Sequence, residues 1–413
     1  MTVPPTPPRP EVLLRPAWCL LPDGSARSGQ AVLVGADGSI THVGDPSTVP
    51  PTARGVSRVE YDLPGSTLLP GLIDLHLVVL HAGPVGAAPT LVERILRAQI
   101  LLDRLVGRGI TTVRDTASQA PTALELRDLA ADGTLRSPSL VVAGSPIGAT
   151  GRGGAVYGSQ EITGAVEARR AARQQVRRGV DLLSVAVTNG LAGGGGLVNG
   201  PAGWQELRLD EVEAVVAEAH AAGRAVSANA LGLDGIRTAV SAGVDTVEHA
   251  SELDRRTADL MAERGVTMVP TLTVAHDFVE HGPELGLSAR LIERARRLLD
   301  STQEAVRIAR EAGVSIAAGT DSHGEDTVIE EIGHLAAAGL SNREAVLAAT
   351  TAAGAVLTGG RATGQVAVGH RGDLLVVDGE VPHDLGALSR PRLVLKDGSV
   401  LLDQAAPVMA VAR

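Results

Sequence analysis

The sequence predicts a (β/α)8 TIM-type barrel with a small β-sandwich domain built from both termini. Two observations predict it. Between residues 68 and 364, strand-length apolar runs alternate with helix-type segments eight times, and parallel strands joined by crossover helices close into a barrel at eight. At the two ends, residues 11–67 and 365–413 carry short β-type runs of similar pattern, punctuated by DG, GD and PPT turn signals. An open doubly wound sheet is the competing architecture, but the GxGxxG expected after its first strand is absent.

Residues 1–10, MTVPPTPPRP, read as a disordered Pro-rich lead. The sandwich should contain EVLLRPAWCLL, QAVLVGADGSITHVG and VSRVEYDLPG from the start of the chain, with GDLLVVDGEVP and RPRLVLKDGSVLL from its end. Val32-Leu33-Val34 and Leu374-Leu375-Val376-Val377 should share one core, because neither end alone has enough strands to bury an apolar face. The barrel strands are expected at 66–76, 111–115, 139–143, 181–187, 225–229, 245–249, 266–271 and 314–321. A representative helix is DEVEAVVAEAHAAG, with Asp210 as N-cap, Glu213 completing a capping box and Gly223 as the stop.

Composition narrows the function classes. The net charge of −10 and the dispersed Lys and Arg argue against a nucleic-acid or acidic-membrane partner. Only five aromatic residues are present (Trp18, Trp204, Tyr61, Tyr157 and Phe278), too few for a base-stacking platform. Cys19 is the single cysteine, so no internal disulfide forms. No apolar run reaches the length of a signal-peptide core or a membrane span, and a cytoplasmic location is the expectation.

Active sites of such barrels lie at the C-terminal ends of the strands. The expected strands place His76, Arg114-Asp115, Ser184, Asn229, Glu248-His249 and Asp321 at or near that rim. In LPGLIDLHLVV, His76 closes an apolar run, but the position two residues on, where a second imidazole would share its face, is Val78.

At this point the chain resembles the amidohydrolase superfamily, in the branch of imidazolonepropionase-like and Xaa-Pro dipeptidase-like proteins. The resemblance rests on PGLIDLH (70–76), GITTVRDT (109–116), GVDTVEHAS (243–251), VPTLT (269–273), AAGTDS (317–322), EAVLAATTAAGAVL (344–357) and GQVAVGHRGDLLVVD (364–378). It implies a metal-dependent barrel that hydrolyses amide or related C–N bonds of a small molecule or peptide.

The family's site residues carry over in part. The first His of its His-x-His pair matches His76, its strand-six His matches His249 and its catalytic Asp matches Asp321. Val78, Ser184 and Asn229 stand where the family has the second His, the bridging Lys and the strand-five His, and TGRGGAVYG lacks the His of a further element. Without the bridging Lys a two-metal centre is not expected. The resemblance then implies at most one divalent metal, Zn²⁺ by preference, held by His76, His249 and Asp321. Asp321 would serve as general base, with His249 or the metal polarising the scissile carbonyl. Arg114, Ser184, Asn229 and His323 are the expected substrate-side residues; Arg114 is read either as a carboxylate-binding guanidinium or, as the resemblance implies, as a structural arginine paired with Asp115 or a neighbour. A metal-free lyase or isomerase using Asp321 and His249, and a catalytically inactive binding protein, are the alternative functions. A homo-oligomer is compatible with the sequence, and the glycine-rich run 190–200 is read as a loop over the barrel mouth.

Overall fold

Along the first strand, Val12 and Leu14 face one apolar cluster while Leu13 faces another, the period-two alternation of a strand covered on both sides. The computed structural model describes residues 9–80, 89–151, 158–190, 202–322, 326–357 and 362–407. In chain order the strands begin with β1 (Glu11–Leu20), β2 (Ala26–Arg27), β3 (Ala31–Val34), β4 (Ile40–Gly44) and β5 (Arg58–Pro70). Next come β6 (Leu72–Leu77), β7 (Ile110–Asp115), β8 (Ser139–Val142), β9 (Ile147–Ala149) and β10 (Gln160–Ile162). β11 (Leu182–Ala186), β12 (Ala225–Ala230), β13 (Thr246–His249) and β14 (Thr267–Val269) follow, and β15 (Leu374–Asp378), β16 (Pro391–Lys396) and β17 (Ser399–Asp403) complete the set.

The chain divides into two compact units. One comprises Met1–Leu72, Arg104–Thr111 and Gly360–Arg413, and the other Ile73–Asp103 and Thr112–Gly359. In the first unit an eight-stranded sheet runs β17-β16-β15-β5-β1-β3-β4, with β2 paired to β1. Strands from both ends of the chain meet where β15 pairs antiparallel with β5, Leu68 opposite Val376. Val32 and Val34 lie in one buried cluster with Leu374 and Val376, so the two termini share a core as expected.

The second unit is α/β. A six-stranded sheet runs β10-β9-β11-β12-β13-β14 with parallel pairing, and β6-β7-β8 form a three-stranded sheet. Further backbone bonds join these pieces. Asp181 N donates to Val142 O at 2.8 Å, beside β8 and β11. Beyond β14, Ala317 N donates to Met268 O at 2.9 Å and Leu75 N to Ala318 O at 3.0 Å, so residues 315–318 bond to β14 on one side and β6 on the other.

Three local expectations are corrected. The run 66–76 is not one strand: β5 ends at Pro70 and β6 begins at Leu72. Gly71 marks the break, and a Cβ there would fall 2.2 Å from the Thr111 hydroxyl oxygen. Residues 314–321 carry the expected hydrogen bonds but no named strand, only a single parallel bridge from Ile316 to Met268. The helix expected to be capped by Asp210 spans Leu209–Ala221, because the Glu211 carboxylate reaches back to accept from Arg208 N at 2.8 Å. Among the described residues no helix is long and apolar enough to cross a membrane.

Candidate active site

β6 presents its two faces to different surroundings. Ile73 and Leu75 pack into an apolar cluster with Val269, Ala317 and Ala353, which turns Asp74 and His76 to the opposite face. Asp74 is fully buried and holds the neighbouring segment in place: it accepts from His76 N at 3.0 Å, from Thr320 N at 3.1 Å and from the Thr320 hydroxyl at 2.7 Å. Burial pushes its carboxyl up to about 6, against the pull of those donors. Gly319 lets the segment approach, since a Cβ there would lie 2.8 Å from His76 N and 2.6 Å from a Val269 methyl.

His76 is oriented by Glu248. Its Nδ1 lies 2.9 Å from Glu248 Oε2, while Glu248 Oε1 accepts from Arg114 Nη2 at 2.7 Å, Ser227 Oγ at 2.9 Å and Thr246 Oγ1 at 2.5 Å. A buried carboxylate is costly unless paired and hydrogen-bonded, and here both conditions are met. Burial alone would raise Glu248, but Arg114, His76 and Thr246 outweigh it and hold the carboxyl down at about 2. The anionic Glu248 accepts a hydrogen bond from His76 Nδ1–H, which turns Nε2 toward Asp321. Burial disfavours a charged His76, yet Glu248 and Asp321 together raise it above an ordinary imidazole.

His249 follows Glu248 directly, and in a regular strand the two would point to opposite faces. Left-handed backbone at His249 (φ 67°) and Ala250 (φ 50°) breaks that alternation and brings the His249 ring to a centroid separation of 5.2 Å from His76. Asp321 (φ 49°) and Thr271 (φ 52°) are likewise left-handed. Four non-glycine residues in this region at the ends of three successive strand segments concentrate strain that is rare elsewhere and typical of working sites. His249 Nδ1 lies 2.6 Å from Thr271 Oγ1, whose hydroxyl proton is given to Pro270 O at 2.8 Å. The Thr271 hydroxyl at Nδ1 and Asn229 Oδ1, 3.2 Å from Nε2, hold the His249 ring from both sides. Burial and the nearby His76 push His249 down to about 3, so it is neutral near pH 7.

Asp321 closes the group. His76 Nε2 lies 3.7 Å from Asp321 Oδ1, and ligand atoms from His76, His249 and Asp321 all fall within 4.8 Å of one another. Burial raises the Asp321 carboxyl, although His76 opposes the shift. The donor set of two imidazoles and one carboxylate fits a divalent cation, with Glu248 at His76 Nδ1 and Thr271 at His249 Nδ1 orienting the two rings.

The remaining expected residues separate. Asn229 lies beside His249, its Oδ1 3.2 Å from Nε2, and its Nδ2 donates to Ser184 Oγ at 3.4 Å. Arg114 does not present a free fork to a substrate. It is buried, and its donors go to Leu75 O at 2.5 Å, Thr246 Oγ1 at 3.1 Å and Glu248 at 2.7 Å. Nor does it pair with Asp115, which accepts from Ser118 N at 2.9 Å. Val78 lies just beyond β6 and is half-buried. His323, His81 and residues 191–200 of the glycine-rich run lie outside the described residues. Of the other histidines, His220 bonds Asp245 at 2.9 Å, and His276 stacks on His334 with centroids 3.7 Å apart.

Glu248, Asp74 and Thr271 are the contributors that sequence reasoning overlooked as working parts. Period-two alternation with Thr246 places Glu248 on the inward face of β13, a signal that was present but eclipsed by the adjacent His249.

Residues 67–402 match the family model described as "Amidohydrolase family". The chain belongs to the amidohydrolase family. Its resemblance to Xaa-Pro dipeptidase-like members is borne out by structural comparison, and it is accordingly a hydrolase acting on carbon–nitrogen bonds. Ochratoxinase of Aspergillus niger is 28% identical over 418 residues, covering 92% of this chain and 83% of that protein. A solved amidohydrolase superposes with a TM-score of 0.85 at 29% identity, covering 95% of this chain and 99% of the other. A prolidase solved in complex with N-methylphosphonate-L-proline gives a TM-score of 0.84 at 26% identity, with 95% and 100% coverage.

Proposed function

We propose that this protein hydrolyses an amide bond in a small molecule or short peptide, using a single divalent metal held by His76, His249 and Asp321. The observation that carries this reading is the convergence of those three ligand atoms within 4.8 Å. The amidohydrolase relatives support an amide substrate. The ligand named for the prolidase, a phosphonate on proline nitrogen, puts a tetrahedral group where a scissile carbonyl would stand, so N-acylated amino acids and Xaa-Pro dipeptides are the first substrates to try.

The scaffold proposed for the site is an eight-stranded parallel barrel over 68–364, with a sandwich from 11–67 and 365–413. What supports the barrel is the circuit of backbone bonds through β6, β7, β8, β11, β12, β13, β14 and residues 315–318, back to β6.

Each residue has a task in this reading. When bound, Zn²⁺ or a similar ion supplies Lewis acidity at the scissile carbonyl. Asp321, lifted by burial, accepts a proton from the attacking water and passes it to the leaving amine. Glu248 and Arg114 fix the ring of His76, and Thr271 fixes that of His249. His249 acts as a ligand and not as a general acid, because its ring is uncharged near neutral pH. Ser184 and Asn229 line the substrate side with hydrogen-bonding groups where a second metal would otherwise need ligands.

The test is hydrolysis of a panel of N-acyl amino acids and dipeptides by purified protein, with Asp321→Asn as control. Zn²⁺-dependent cleavage lost in the variant is the expected result. Cleavage that persists in Asp321→Asn, or that is indifferent to a chelator, contradicts the mechanism.

A further inference from the structure

The helix Leu91–Gly107 is apolar on two sides. Ala98 and Leu102 are buried, as the inward face of a surface helix should be. On the outward side, Val92, Leu96 and Ile100 are 65%, 59% and 69% exposed, three of the ten large apolar residues most open to solvent among the described residues. Val92, Leu96 and Ile100 are spaced by four, so they form one continuous ridge over more than two turns. A surface helix ordinarily turns polar residues to solvent, and here part of the outward side is apolar and open.

We propose that this ridge docks a second copy of the chain, helix against antiparallel helix, across a two-fold axis near Leu96. Three considerations select a second copy over an unrelated partner. A two-fold contact uses the same patch twice, so one ridge suffices to cover itself. With the axis at this point Val92 of each copy meets the Ile100 region of the other, and Leu96 meets its own equivalent. The border of the ridge carries Glu93 and Arg97, both exposed and opposite in charge. Antiparallel pairing sets Glu93 of each copy near Arg97 of the other, which a parallel pairing with like residues abreast does not do.

The area agrees with a reversible dimer. The three side chains leave on the order of 300 Å² of apolar surface per copy, at the scale of patches that mark interaction sites. Because interfaces are only a little more than half apolar, a pair built on this ridge buries roughly 1,000 Å² in total, at the lower limit for specific association.

The test uses the full chain. Sedimentation velocity should show a concentration-dependent association, and Leu96→Glu, which places two like charges on the axis, should lower the mass of the assembly. Thermal melting checks that the variant is folded, and Ile100→Lys serves if it is not. In a second experiment Leu96→Cys is oxidised mildly. Residues on a two-fold axis approach closely enough to bridge, so a disulfide-linked species of twice the chain mass is expected, while Val166→Cys, exposed on another helix, stays unlinked. The native Cys19 is buried and does not interfere. A wild-type protein that remains monomeric at about 100 μM, an assembly unchanged by both ridge substitutions, or equal cross-linking at positions 96 and 166 overturns the proposal.

Discussion

Glu248 Oε2 lies 2.9 Å from His76 Nδ1 while its other oxygen is engaged by Arg114, Ser227 and Thr246, so one buried carboxylate both neutralises an arginine and aims a histidine. Glu248→Gln keeps the shape and removes the charge. Leaving Arg114 uncompensated in the interior should destabilise the fold by about 3–5 kcal/mol. His76 also loses the acceptor that fixes its tautomer, so metal affinity should fall about 10- to 100-fold. Thermal denaturation and competition with a chromogenic chelator read the two effects separately. A variant with native stability and native affinity removes Glu248 from the account.

Gly319 stands where a methyl group would meet both His76 and Val269. Gly319→Ala must push the 315–321 segment away from β6, which disturbs the approach of Asp321 to His76. The expected outcome is a loss of about 1–3 kcal/mol by overpacking, together with weakened metal binding. If the variant crystallises with the His76–Asp321 distance unaltered and binds metal normally, the close approach has no role in positioning the site.

Thr271 holds His249 from a left-handed backbone position that a β-branched residue adopts only under strain. Thr271→Gly should relieve strain of about 1 kcal/mol or more while releasing the His249 ring. Stability should therefore hold or rise as metal affinity and hydrolysis fall. Parallel losses in both would show instead that Thr271 is an ordinary structural contact.

Much of this site was legible in the sequence, and the reasons differ by residue. His76 falls in β6, which an apolar run announces, and Asp321 follows the 315–318 segment that bonds β14 and β6. For Arg114 the sequence left two roles open, because position alone cannot tell a fork facing solvent from one turned inward. Its partners, Leu75 O, Thr246 and Glu248, lie about 40 to 130 residues away along the chain. The proximity of His249 to His76 depends on backbone at positive φ, which no periodicity foretells. In the first unit the alternating runs at both termini sufficed to anticipate a shared core, because burial of Val32, Val34, Leu374 and Val376 is what such patterns encode. The break at Gly71 was missed for the opposite reason: the apolar pattern continues through it, and only the approach of Thr111 requires the glycine.

Glu331 provides a pH-dependent test away from the metal ligands. It is buried and accepts from Leu272 N, Thr273 N and the Thr273 hydroxyl. Burial, with a smaller contribution from Asp74, pushes it up to about 8 from an ordinary 4.5 despite those donors. Between those values the folded state keeps a proton that the unfolded chain has released. The associated stability is thus full below about pH 4.5 and is lost as pH rises through about 8. Glu331→Gln, which imitates the protonated form, should abolish this component. Comparing urea midpoints at about pH 5 and 9, wild type should lose on the order of 3 kcal/mol more than the variant. Identical pH profiles would mean that the carboxyl stays ionised in the fold.

The most direct test of the central claim is the metal content of protein purified without added metal or chelator, measured by inductively coupled plasma mass spectrometry beside Asp321→Asn and His76→Ala. One site built from His76, His249 and Asp321 predicts no more than one equivalent of divalent metal per chain, Zn²⁺ foremost, with both variants depleted and amide hydrolysis restored to stripped wild type by that one equivalent. Two tightly held equivalents in the wild type, or hydrolysis by a protein that neither contains nor responds to metal, would contradict the single-metal site.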